Sequence, residues 1–461
     1  MQHNGYSPPE HVHDLLGVGV GPFNLSLAAL LEGAPEIDAV FLEQKERFDW
    51  HPGLLMEGTT LQVPFLADLV TMADPTSPHS FLNYLRGRER LYKFYFLERF
   101  HIPRREYEDY CRWVSENLSS CRFGERVEEI RHSGYHYEVT YRDIHTNEVH
   151  LRRARHLALG VGSIPNVPEC FEDLVGEDVF HSAEFRQRRE RCRTADSVTV
   201  VGSGQSAAEC FHALLEEQEE CGYRLDWLTR SSGFFPMEYS KLALEHFSPD
   251  YTRYFHGLEQ QRRDGVLERQ DLLYKGIDAD TIAAIYDLLY ERSVGDAEPD
   301  AHLLALTEVE DAEETASGYR LRCRQHEEDR AFDHDARVVV LATGYERPAP
   351  EFMDGIEYLV HRDERGRYIV GEDYRLELTR ETNNDIFVQN GELHTHGVGA
   401  PDLGLGAHRS AVIVNQLAGR EVYPVRGKNV FQEFGAAGRE PAVQASTSAS
   451  ANADAKAQRS R

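Results

Sequence analysis

Lysine is nearly missing from this chain. Six of its 50 cationic side chains are lysine and 44 are arginine, against 78 Asp and Glu, which leaves a formal net charge of −28 over 461 residues. That balance excludes a nucleic-acid binder, whose phosphate contacts demand basic faces, and it disfavours anionic membrane surfaces. No apolar run approaches the ~20 residues of a membrane span. The seven cysteines (Cys111, Cys121, Cys170, Cys192, Cys210, Cys221 and Cys323) form no CxxC pair and no ligand-like spacing with histidine. Their scatter excludes a redox dithiol and a zinc site, and reads as the reduced thiols of a cytoplasmic protein. The polar segment from Met1 to Asp14 has no secretion-signal pattern. Acid-rich, lysine-poor composition suits a protein that stays soluble in concentrated salt, so a halophilic chain that folds only in molar salt is expected.

What is present begins with two look-alike segments about 180 residues apart. The first runs from His13 through Leu15-Leu16-Gly17-Val18-Gly19-Val20-Gly21-Pro22-Phe23-Asn24 into a helical pattern. The second runs from Ser197 through Val200-Val201-Gly202-Ser203-Gly204-Gln205-Ser206-Ala207 into another. Each reads as strand, glycine turn and helix, the setting a dinucleotide fingerprint requires. Gly19 allows the tight turn, and Gly21 lets backbone approach a pyrophosphate at a helix N-terminus. Asn24 and Ala207 replace the third glycine as small residues that still permit close packing.

The strand after each turn separates the ligands. The run Ala39 to Leu42 ends at Glu43, 22 residues beyond Gly21, where an acid grips an adenosine ribose. The run Leu225 to Thr229 ends at Arg230, with Ser231 and Ser232 next in the chain. A cation and hydroxyls at that place favour a 2′-phosphate, hence NADPH over NADH. The expected fold is α/β, with two Rossmann-like dinucleotide-binding domains, the second inserted into the first, and a small mainly helical substrate region. An FAD domain occupies 12–165. An NADPH domain occupies 166–335 and holds the helical region at about 240–295. The run Ala336 to Leu341, breaking at Ala342-Thr343-Gly344-Tyr345, returns the chain to the FAD domain over 336–430. Segments 1–11 and 434–461 are expected to be disordered tails.

With these turns stand Phe48-Asp49-Trp50-His51-Pro52-Gly53, Leu61-Gln62-Val63-Pro64-Phe65, Asp68 to Pro78 (DLVTMADPTSP) and His394-Thr395-His396-Gly397. Over residues 12–425 the chain resembles the flavin-dependent N-hydroxylating monooxygenases of siderophore biosynthesis, most of all the aerobactin-type L-lysine N-hydroxylases. The resemblance implies that NADPH reduces FAD, that reduced flavin captures dioxygen as a C4a-hydroperoxide, and that a primary amine of the substrate becomes a hydroxylamine. It places Trp50, His51 and Gln62 against the flavin, and Gln205 and Ser206 at the NADPH phosphates. It implies no metal, no catalytic triad and a homo-oligomer. The cofactor carries the hard chemistry while the protein positions and shields.

Three positions depart from the ornithine-hydroxylating members of that family. A lysine holding the substrate carboxylate falls on Ala67, an asparagine on Leu244, and a serine of a late loop on Gly404. Losing three polar contacts together argues against ornithine. L-Lysine and a decarboxylated diamine (1,3-diaminopropane, putrescine or cadaverine) both remain. An alkylamine of pKa ~10.4 must also lose its proton before it can attack, so an apolar lining near the flavin and an alkaline rise in kcat are expected. Competing classes fare worse. A flavin disulfide reductase lacks its dithiol, a Baeyer–Villiger-type oxygenase would need more than the fragment Phe180-His181-Ser182, and a non-catalytic flavoprotein sits poorly with two intact glycine turns.

Overall fold

The computed structural model describes residues 11–295 and 298–436. Two sheets organise it. In the first, strands run in the order Cys121–Phe123, Ala39–Glu43, Val12–Val18, Val149–Leu159, Tyr137–Asp143 and Glu125–His132, and Ile386–Val388 also pairs with Val149–Leu159. The long strand Val149–Leu159 serves two geometries. Its end lies parallel to Val12–Val18 and Ile386–Val388, while its beginning pairs antiparallel with Tyr137–Asp143. The second sheet is wholly parallel, in the order Ala301–Leu304, Arg224–Leu228, Ser197–Val201, Val338–Leu341 and Val179–His181. Its central members are near-continuous apolar runs, the signature of strands covered on both faces.

Both glycine turns are strand–turn–helix units, as expected: Val12–Val18 leads into helix Pro22–Leu31, and Ser197–Val201 into helix Gln205–Cys221. The return to the first sheet differs from expectation. Val338–Leu341 lies between Ser197–Val201 and Val179–His181, so it completes the second sheet. The chain crosses afterwards, where Tyr345–Glu346 pairs antiparallel with Ile164–Pro165, and rejoins the first sheet at Ile386–Val388. Four consecutive buried residues, Val338 to Leu341, mark a central strand whichever sheet it joins, and only the pairing assigns it. Thr307–Thr315, Gly318–Gln325 and Arg330–Ala336 form a separate antiparallel meander.

The helical region is present as Ala243–His246, Pro249–His256, Gln260–Leu267, Asp271–Tyr274 and Ala279–Arg292. The HTHG stretch docks it onto the first lobe. Buried His396 stacks on Tyr374 with centroids 4.6 Å apart, and a Cβ on Gly397 would lie 3.1 Å from the Phe255 ring. The expected tails lie outside the described residues except at their inner ends. There His11 bonds Asp38 at 2.7 Å and the Phe434 ring packs 4.9 Å from that of Tyr251, so neither of these two residues is loose.

Candidate active site

At the first turn Gly19 has φ +86°, and a Cβ there would lie 2.5 Å from the Gly160 carbonyl oxygen. Gly21 caps helix Pro22–Leu31 with no side-chain bond, and a Cβ built on it meets nothing within 4 Å. Pro22 has no N–H, so the first helix donors a pyrophosphate beside Gly21 would use are those of Phe23 and Asn24. Glu43 accepts from Val20 N–H at 2.8 Å, which holds its carboxylate beside the turn. Asn24 is more than a small packing residue. Its Nδ2 donates to the carbonyls of Gly19 at 2.8 Å, Val18 at 3.1 Å and Ala158 at 3.4 Å, and its Oδ1 accepts from Gln389 at 2.6 Å. One carboxamide thereby ties the ends of three neighbouring strands under the turn.

The WHPG stretch joins the two lobes. Trp50 stands edge-on to His51 and Tyr107, with centroids 4.7 and 5.3 Å away, and His51 faces Tyr345 at 5.8 Å. His51 occupies the left-handed region at φ 49°. Burial, reinforced by the Arg104 and Lys45 charges, pushes its imidazole down to about 4, so the ring is neutral at physiological pH. Gly53 is required by contact, because a Cβ would fall 1.9 Å from the Ala183 carbonyl oxygen of the second lobe. Among the described residues Gln62 Nε2, Ser182 Oγ and Tyr345 Oη are buried without a hydrogen-bond partner, donors of the kind a flavin's carbonyls and ring nitrogens would satisfy. The resident groups fit an FAD.

At the second turn Gly202 has φ +148°, and a Cβ would lie 2.1 Å from the Ala342 carbonyl oxygen. Gly204 caps helix Gln205–Cys221 without a side-chain bond, leaving the early N–H groups for phosphate. The Ser203 and Ser206 hydroxyls make no bond among the described residues. The Gln205 side chain is engaged within the protein. It accepts from Asp278 N–H at 2.7 Å and donates to Glu209 at 3.0 Å and Thr281 at 3.2 Å, so it clamps helix Ala279–Arg292 against the turn. Arg230 is 78% exposed and only 3.8 Å from Glu308, free enough to meet a phosphate. Ala342 to Tyr345 closes the site's other wall: Thr343 and Gly344 bond Asn166, and the Gly344 carbonyl (φ +86° at that residue) accepts from His181 at 2.9 Å.

The substrate end brings two of the three departing positions together. A Cβ built on Gly404 would stand 3.8 Å from the Ala67 Cβ, and Ala67 is buried. Leu244 is 41% exposed on the short turn Ala243–His246. The loop carrying Gly404 is fixed by buried Arg409, which donates to the Ala400 carbonyl at 2.6 Å and pairs with buried Glu392 at 2.8 Å. Below Ala67, the Asp68 carboxylate accepts from Val70, Thr71 and Phe81 N–H groups and from the Thr71 hydroxyl, which explains why the DLVTMADPTSP stretch holds one shape.

A family model described as L-lysine 6-monooxygenase/L-ornithine 5-monooxygenase matches residues 11–347. The chain belongs to this family. The rhizobactin siderophore biosynthesis protein RhbE of Rhizobium meliloti is 48% identical over 431 residues, covering 92% of this chain and 95% of that one. A putrescine N-hydroxylase of Shewanella oneidensis is 41% identical over 92% of this chain and 84% of its own length. Among solved structures, the FAD-bound desferrioxamine-pathway cadaverine monooxygenase DfoA of Erwinia amylovora superposes with a TM-score of 0.89 at 41% identity, covering 93% of this chain and 99% of that one. Motif reading within this family overlooks Asp402, Tyr107 and Tyr239. Burial first, and then neighbouring groups that include the Asp402 charge, raise both phenols above their usual value, which locates the three around one place. The available signal was an acid two residues before the glycine that replaces the family serine.

Proposed function

We propose that this flavin-dependent N-hydroxylating monooxygenase of siderophore biosynthesis acts on an aliphatic diamine. The observation that carries the reading is the pairing of Ala67 with Gly404. Neither residue offers a group that could hold an α-carboxylate or α-amine, and a Cβ at half-buried 404 would touch buried Ala67. A site that leaves a carboxylate without partners rejects amino acids steeply, and relatives at 41% identity bear the names putrescine N-hydroxylase and cadaverine monooxygenase.

The Gly19–Gly21 turn holds FAD, with Glu43 at its ribose and Trp50, His51 and Gln62 beside it. The backbone of Gly202 to Ser206 and the Ser203 and Ser206 hydroxyls hold NADPH, with Arg230 at its 2′-phosphate. Reduced flavin, when bound, supplies the activated oxygen. The chain's own groups do the rest: neutral His51 adds no charge beside the ring, and exclusion of water from that buried end lets the attacking amine shed its proton. All seven cysteines are free, which suits work in a reducing compartment such as the cytoplasm. Among the described residues no helix is long and apolar enough to cross a membrane. Hydroxylamine formed per NADPH oxidised tests the activity. Near-stoichiometric yield with putrescine or cadaverine is expected, and NADPH consumption that yields only peroxide with every amine would overturn it.

A further inference from the structure

We propose that Asp402 binds the second ammonium of the diamine, the end that is not oxidised. This rests on the diamine reading and deepens it. The Asp402 carboxylate stands at the Ala67–Gly404 wall. Its Oδ1 accepts from Gly404 N–H at 2.6 Å, and a Cβ on Gly404 would lie 2.8 Å from that same oxygen. Glycine at 404 therefore leaves the acid in its present place: a Cβ there would have to push that carboxylate oxygen, the end of a short side chain, aside. The loss of a polar contact at 404 and the presence of a carboxylate at 402 are one change, which replaces a group for the amino-acid head by a group for a cation.

Asp402 is also uncommitted. Among the described residues its second oxygen has no hydrogen-bond partner and the carboxylate no ion-pair partner. Arg409, the cation whose charge it feels, turns its Nη2 to Glu392 and the Ala400 carbonyl and makes no ion pair with Asp402 among the described residues. Tyr107 and Tyr239 are the other titratable neighbours whose ionisation it opposes. Burial pushes its carboxyl up to about 6, so the ionised form is held without a counter-ion until a ligand brings one. A substrate ammonium supplies that charge, and an α-carboxylate beside the ammonium, as in lysine or ornithine, would be repelled by it.

The test measures hydroxylamine formation from putrescine and cadaverine against butylamine and pentylamine, monoamines of the same lengths, with L-lysine alongside. A ratio between two substrates on one enzyme preparation is insensitive to the fraction folded. The wild type is expected to favour each diamine over its monoamine by about 10- to 100-fold in kcat/KM, mainly through KM, the range of one charge-assisted bond in a partly dry site. D402N keeps the acceptor for Gly404 N–H and is expected to bring that ratio to within about threefold of one. D402E keeps the charge and advances it by one methylene, so its preferred diamine is expected to be one carbon shorter. A diamine-selective wild type whose D402N variant keeps the ratio overturns the assignment alone. A wild type that prefers L-lysine to every diamine overturns the diamine reading itself.

Discussion

Removing Arg104 breaks the joint between the two nucleotide-binding lobes. Its guanidinium donates to both oxygens of Glu209, at 2.8 and 2.7 Å, and to the Leu54 carbonyl at 3.0 Å. The two side chains are 11% and 5% exposed. Arg104 opens helix Arg104–Asn117 of the first lobe, while Glu209 lies one turn into the helix of the second glycine turn. Arg104→Met preserves the apolar stem but leaves Glu209 with only the Gln205 amide, and an unpaired buried charge costs about 3–5 kcal/mol. Glu209→Met strands the guanidinium in the same way. The double variant removes both charges, and similar apolar volume in their place is nearly neutral. The cycle should therefore be strongly non-additive, with a coupling energy of about 3 kcal/mol or more. Urea unfolding followed by the fluorescence of Trp227, buried in the second lobe, reads it. Single variants within about 0.5 kcal/mol of wild type, or an additive double variant, would refute the reasoning.

Three further outcomes are expected. His51 is neutral because its pKa falls from 6.5 to about 4. With the folded value below the unfolded one, its contribution is intact above pH 6.5 and is lost as pH falls toward 4, about 3 kcal/mol in total. His51→Asn tolerates the left-handed backbone and should flatten that acid limb; an unchanged limb in thermal melts from pH 7 to 4 counts against it. Asn24→Ala removes the amide that three carbonyls share and leaves buried Gln389 without its acceptor, which should cost about 2–4 kcal/mol, read as weaker FAD retention on dialysis; full retention with an unshifted melt contradicts it. A chain with net charge −28 should melt higher as KCl rises from 0.1 to 2 M, and an unchanged midpoint rejects salt adaptation.

Local features were legible in the sequence because their causes are local. Both turns announce themselves by glycines that backbone geometry requires at 19 and 202, and Glu43 by its spacing from Gly21. Non-local features were not. The Val338–Leu341 run carries nothing that says which sheet it joins, because partner choice is settled by strands some 140 residues away in the chain. Asn24 reads as a tolerated substitute for glycine, since its value lies in carbonyls from two strand ends and an amide from a third. Gln205 looked like a phosphate ligand, and its partners at 278 and 281 come from a helix far along the chain. At the substrate end, Ala67 and Gly404 were read as losses. Asp402 carries no signal in an acid-rich chain until its place beside Gly404 is seen.

Relative kcat/KM for coupled hydroxylation of putrescine, cadaverine, L-lysine and L-ornithine by the purified holoenzyme is the most direct measurement. One of the two diamines is expected to exceed both amino acids by at least tenfold. L-Lysine or L-ornithine at or above the better diamine would contradict a site built for a second ammonium.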